Sequence, residues 1–230
     1  MTFSTKDSNY FSIRGIVFIF LFLFLIGPLA SSLSHFGLLT LTPATFFISR
    51  LIYWLALGLL WLYAAKIEKQ PILIWKEKSY TALQYIGSFF LIFLILIIGM
   101  IIINFLYSLT GLSKTSTALA DTVGILRDHF LLAVFTALTA GIVEEVIFRG
   151  YIQPRLESIL TNLSASIIIS SLLFGLLHYK YGTVINVIGP FFIGLIFALY
   201  YSKYRNIKMI IICHFVWDMI AILTLMRMRH

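Results

Sequence analysis

Residues 89–103 read FFLIFLILIIGMIII, a run broken only by Gly99. With its flanks, at a helical rise of about 1.5 Å per residue, it is long enough to cross a hydrocarbon layer of about 30 Å. A strand of a membrane barrel would alternate polar and apolar side chains, and this run does not. Outward from it lie further stretches of the same kind, including the unbroken Ile16–Ile26. Seven spans are expected, over about 14–33, 45–65, 82–107, 129–153, 163–182, 183–202 and 208–226. Backbone in lipid must satisfy its own hydrogen bonds, so each should be a helix. The expected fold is all-α, a polytopic transmembrane helical bundle of about seven spans, with room for an eighth near 108–128 or 178–190. Residues 1–33 mimic a secretory signal but are long for one, and read as a retained first helix.

The composition agrees. The chain has 230 residues, 60% hydrophobic and 11% charged, with a mean hydropathy of +1.00. Soluble domains are about a quarter charged, so a disordered chain or an ordinary soluble enzyme is excluded. A single cysteine, Cys213, excludes an internal disulfide. The net charge of +8 comes from basic residues at the ends of apolar runs, where they anchor loops. The expected partners are therefore membrane lipids and a membrane-associated substrate, with no nucleic acid. With the N-terminus inside, eleven Lys and Arg residues fall on the inner side and six on the outer, which favours that orientation. Arg227 and Arg229 fit that count badly. A bacterial inner membrane is the expected location.

A charge near the middle of a membrane helix costs at least about 2.5 kcal/mol, so ionisable groups inside spans carry information. They concentrate in the last hundred residues. The chain accordingly divides into a scaffold, residues 1–128, and a polar-bearing core, residues 129–226. In the fourth span, Glu145 and Arg149 are four apart and can pair. Glu144 points about 100° away and has no partner on its own helix. Ala133, Ala137 and Gly141 repeat every four residues and would let a neighbouring helix come close. Phe174 and His178 share a face of the fifth span, and His214 and Asp218 a face of the seventh. Asp218 could orient His214 and fix its tautomer.

If the three faces meet, Glu144, His178, His214 and Asp218 form a buried cluster. A carboxylate with two imidazoles is a known zinc set, here Glu144, His178 and His214, and zinc would activate a bound water. Without metal, Glu144 and His178 could activate the water while His214 and Asp218 stabilise the oxyanion. The alternative for each pair is a structural contact that glues helices, and for Glu145 and Arg149 that alternative is preferred. Other intramembrane chemistries lack their residues: there is no His-Glu-x-x-His, no Gly-x-Ser-Gly, and only one aspartate inside a span.

Three motifs on successive polar-bearing helices, Glu144-Glu145-x-x-x-Arg149, Phe174-x-x-x-His178 and His214-x-x-x-Asp218, make the chain resemble the CAAX protease and bacteriocin-processing (CPBP, or Abi) family, relatives of the type II CAAX prenyl endopeptidases. Gly194, Tyr200 and Asn206-Ile207 extend the likeness, which covers roughly residues 129–222. It implies a membrane endopeptidase with Glu144 as general base helped by His178, Glu145 and Arg149 as an orienting pair, and His214 and Asp218 lining the cavity. The prenyl endopeptidases carry Asn at the position of Asp218; an ionised Asp cannot donate to an oxyanion, so it fits better as an orienter. The resemblance leaves zinc open and suggests cleavage on the cytosolic side. Two other classes compete: a proton- or cation-coupled carrier, hinted at by Gly189-Pro190, and a non-catalytic immunity or scaffold protein. A geometric difficulty accompanies the cluster. Counted from the inner helix ends, Glu144, His178 and His214 come out at about 15, 24 and 9 Å.

Overall fold

Polar side chains just outside the apolar runs set the helix borders. Thr42 and Thr45 form a reciprocal capping box, as do Thr81 and Gln84. Ser116, Asn162 and Asn206 each accept from a backbone N–H three residues on. The computed structural model describes residues 5–227, with side chains from residue 9. Arg229, used above in the charge count, lies outside the described residues. The helices are α1 (Thr5–His35), α2 (Pro43–Glu68), α3 (Ala82–Ser108), α4 (Thr117–Arg127), α5 (Phe130–Leu160), α6 (Leu163–Tyr181), α7 (Ile185–Tyr204) and α8 (Ile207–Arg227). Seven are long and apolar enough to cross a membrane. With 11 residues, α4 is too short, so no eighth span exists among the described residues. The protein is an integral, multi-pass, all-helical membrane protein.

Two borders differ from the sequence reading. The fourth span continues past Pro154 to Leu160. Residues Ala140–Glu144 and Val146–Ile152 are wound as π-helix, and regular α-helix resumes at Gln153. Pro154 therefore falls in the first turn of an α-helical segment, where its missing N–H is tolerated. The second difference is at Pro190, which lies inside α7 without breaking it. The broken helix that Gly189-Pro190 hinted at is absent.

Helix α5 is the centre of the bundle. Half of its most apolar window is buried, against 17% for α1 and for α3, whose Phe90, Ile101 and Phe105 face outward. On one side α5 joins α1 and α2 in a core with Ile19, Leu60 and Tyr151. On the other, α3, α7 and α8 form a second core with Leu96, Phe197 and Cys213. Ala133 and Ala137 are fully buried against α8, as the small-residue stripe requires. At Gly141 an added Cβ would stand 3.0 Å from the carbonyl of Ile211 and 3.1 Å from the amide of Phe215.

The end of the bundle that holds the N-terminus is sealed by residues 69–81. Buried Arg155 reaches Glu68 at 2.6 Å and the carbonyls of Pro71 and Ile72 at 3.1 Å. Trp75 donates to Glu157, and Arg205 stacks over the Trp75 ring at 3.4 Å. Glu77 accepts from the backbone of Ile207 at 2.7 Å, fixing the start of α8.

Glu68→Ala leaves the Arg155 guanidinium buried without its counter-charge. A loss of about 3–5 kcal/mol is expected, measured by thermal denaturation in detergent. Glu68→Ala combined with Arg155→Met should recover most of it, because the double variant strands no charge.

Candidate active site

On α5, Glu145 is fully buried and its Oε1 accepts from Nη1 of Arg149 at 3.0 Å. The same oxygen faces Nδ1 of His214 on α8 at 2.7 Å. A carboxylate only accepts, so Nδ1 of His214 carries a hydrogen and donates it to Glu145. Nε2 of His214 points to Asp218, whose Oδ2 is 3.6 Å away, ion-pair range rather than a hydrogen bond. Glu145 is thus the nearer orienter of His214, and Asp218 the looser one.

Arg149 is boxed by aromatic rings. Its guanidinium carbon is 4.4 Å from the centre of Phe174 and 5.9 Å from those of Phe148 and Phe197. Phe174 on α6 also stands 5.1 Å from the ring of His178 and 5.9 Å from that of His214. One phenyl group therefore touches the guanidinium and neighbours both imidazoles. Gly194 on α7 completes the box: a Cβ there would stand 2.7 Å from Nη2 of Arg149 and 3.0 Å from the Phe174 ring.

His178 sits in a 3₁₀ turn at the end of α6, with Nδ1 3.0 Å from the carbonyl oxygen of Phe174. A carbonyl only accepts, so Nδ1 carries the hydrogen and Nε2 of the neutral ring keeps its lone pair. Glu144 is half-buried and, among the described residues, makes no hydrogen bond or ion pair; its Oε2 is buried with no partner. Its electrostatic neighbours are His214, Lys180, Glu145 and Arg50.

The depths that disagreed in the sequence come together. With α5 running to Leu160, Glu144 lies sixteen residues from the end of its helix, as His178 lies sixteen from Asn162. Helix α8 begins inside the bundle, with Ile207 against Gly150, so seven residues bring His214 to the level of Glu145. As for a metal, no three His, Cys, Asp or Glu side chains gather into a ligand set among the described residues. Nδ1 of each imidazole is engaged, which leaves Nε2 as the ring nitrogen that could face a metal. As placed, these side chains do not gather into a zinc set, and no step is derived through a metal.

At the end opposite the N-terminus, a cavity of about 770 Å³ opens between α1, α2, α4, α5 and α6. Arg50, Thr136 and Lys180 line it. Sequence reasoning missed the first and last of these by assigning them to loop flanks. Their signal was available: each is a charge placed inside an otherwise apolar stretch.

Residues 127–220 match the family model of type II CAAX prenyl endopeptidase Rce1-like proteins. No curated protein and no solved structure matches the chain.

Gly194→Ala should push the guanidinium of Arg149 off the Phe174 ring and cost about 1–3 kcal/mol, the range for overpacking a tight site. Thermal stability in detergent measures it. Gly58→Ala, where an added Cβ meets nothing within 4 Å, is the control and should not destabilise.

Proposed function

We propose, from the match of residues 127–220 to the Rce1-like type II CAAX prenyl endopeptidase family model, that this cluster hydrolyses a peptide bond of a membrane-associated protein or peptide. The carrying observation is the state of two side chains. Glu144 is a half-buried carboxylate with no partner, and His178 is held with its Nε2 lone pair free. Both are acceptors. A water that donates one O–H to each presents its own lone pair to a carbonyl carbon. As the water oxygen bonds to that carbon, its proton passes to Glu144 and the carbonyl oxygen gains the charge. His214 donates Nε2–H to this oxyanion, its ring steadied through Nδ1 by Glu145. Glu144 then gives the proton to the leaving nitrogen as the C–N bond breaks. Arg149 holds Glu145, and Asp218 keeps His214 protonated at Nε2. The donor geometry favours this metal-free route over a zinc-bound water.

The charge distribution supports a bacterial inner-membrane protein with its N-terminus in the cytoplasm. Arg149 and Arg155 are buried in ion pairs and Arg50 and Lys180 lie in a cavity wall, so none of the four is a loop charge. Setting them aside leaves, among the described residues, nine basic residues at the N-terminal end against three at the other. The cavity then opens away from the cytoplasm, rather than on the cytosolic side that the resemblance suggested.

Glu144→Gln and His178→Ala should each lower cleavage by about 10²–10⁴-fold, the range for a general base, with folding unchanged. The readout is the set of new protein N-termini in cells making each variant. Asp218→Asn should lower activity less than Glu144→Gln does, since the neutral amide no longer favours the protonated Nε2 of His214 while Glu145 still orients the ring. Activity should also survive exhaustive chelation; loss of activity restored by added zinc would replace the metal-free route. Processing unchanged in Glu144→Gln would instead leave a scaffold.

Orientation is tested by cysteine labelling with a membrane-impermeant reagent on intact cells. Thr115→Cys should label and Lys76→Cys should not, while native Cys213, being buried, stays silent. The opposite pattern inverts the topology.

A further inference from the structure

The cavity described above contains two cations that the proposed hydrolysis does not use. Arg50 on α2 lies 4.9 Å from the centre of the Tyr53 ring and 4.7 Å from that of Phe46. Among the described residues its side chain hydrogen-bonds to the hydroxyl of its neighbour Ser49, at 3.2 Å. Lys180 on α6 reaches the same tyrosine from the other side, with Nζ 3.5 Å from the Tyr53 hydroxyl. Neither forms an ion pair with a carboxylate among the described residues; Asp121 lines the cavity without pairing to either. Two half-buried cations converging on one phenol, with no anion between them, are an incomplete arrangement. Charges drawn below a membrane surface are ordinarily paired.

The pair is tied to the reacting centre. Arg50 and Lys180 are both electrostatic neighbours of Glu144, and Lys180 follows His178 by two residues. Thr136 of α5 lines the same cavity, two helical turns above Glu144. The volume, about 770 Å³, falls in the range of about 300–1,000 Å³ that takes a small ligand or a few residues of peptide. Its walls come from the inward faces of five helices, and Ser31, Ser34, Thr122 and Thr136 give them hydroxyl groups suited to a peptide backbone.

We propose that this cavity is the substrate's entrance, and that Arg50 and Lys180 receive a carboxylate carried by the peptide within a few residues of the bond to be cut. The proposal rests on the peptidase reading and adds to it the substrate class, a peptide acidic beside its cleavage site, and the direction of approach. The two cations are specificity residues: they hold the substrate's anion while Glu144 and His178 act on the bond.

The test uses full-length protein in nanodiscs of zwitterionic lipid, with Glu144→Gln as the binding form. The probes are two pools of random hydrophobic decapeptides, one with free C-terminal and side-chain carboxylates, the other with all carboxylates amidated. Retention of the acidic pool is expected to exceed that of the amidated pool at least fivefold. Adding Arg50→Gln and Lys180→Gln should bring the ratio to about one. Arg50→Lys with Lys180→Arg, which keeps both charges, should preserve it and shows that the Gln result is not misfolding. Equal retention of the two pools by Glu144→Gln overturns the proposal, as does a ratio unchanged by the Gln pair. Nanodiscs with added phosphatidylglycerol form a further arm. If the Gln pair loses binding of that lipid while the peptide ratio is already one, the cations belong to lipid and the proposal falls. Acid-selective retention without cleavage of any retained peptide by wild type would leave the anion site standing and remove the peptidase reading, so the two fail separately.

Discussion

A single carboxylate oxygen joins the two halves of the molecule. Oε1 of Glu145 takes Nη1 of Arg149 on its own helix and Nδ1 of His214 on α8, sixty-nine residues away. All three groups are shut off from water, where removing one member of a paired set leaves the others stranded at a cost of several kcal/mol. The oxygen therefore fixes the rotation of α8 against α5. It sits where the two apolar cores meet, with Ile147 and Phe148 on one side and Phe197 and Cys213 on the other. The small-residue stripe ending at Gly141 is what lets α8 come near enough for the contact. Packing brings the helices together, and the ion triad sets their register.

Phe174 shows why an apolar residue belongs to a polar motif. Its ring is the floor under the Arg149 guanidinium and lies beside the imidazoles of both His178 and His214. An arginine face-on to an aromatic ring in a desolvated site gains a favourable contact that a water-exposed one would not. The backbone carbonyl of the same residue receives Nδ1 of His178. Phe174 thus sets both the place and the tautomer of the histidine one turn later.

The spans were legible because lipid imposes a simple rule on sequence, and length with hydropathy located all seven to within a few residues except at the start of the first, which begins nine residues earlier at Thr5, and at the end of the fourth. There Pro154 looked like a stop, and only the change from π to α pitch lets the helix run through it. The pairing of Glu145 with Arg149 was legible because it is local, four residues along one helix. Its third member was not. Spacing offered Asp218 as the orienter of His214, because Asp218 is near in sequence; the closer carboxylate is Glu145, near only in space. Arg50, Arg155 and Lys180 were misjudged for one reason. A basic residue near the end of an apolar run looks like a loop anchor, whether it snorkels to the surface or turns inward to a partner.

The two ends of the bundle treat buried polarity differently, and the difference separates structure from chemistry. At the sealed end Glu68, Tyr151 and Arg155 satisfy one another and the carbonyls of residues 71 and 72, and none of these three side chains has a buried polar atom left over. A native protein seldom leaves such atoms unpaired. Yet of the seven buried side-chain atoms without partners among the described residues, four belong to Glu144, Glu145 and Arg149. A purely structural ion pair in this place would have been closed off as the Arg155 pair is. The open valences instead gather around Glu144, a half-buried carboxylate without a hydrogen bond or ion pair among the described residues, within electrostatic reach of a cavity wall whose Arg50 and Lys180 form no ion pair with a carboxylate there. Polar capacity kept unfilled at that depth is what a site needs if water and a peptide bond are to supply the missing hydrogen bonds.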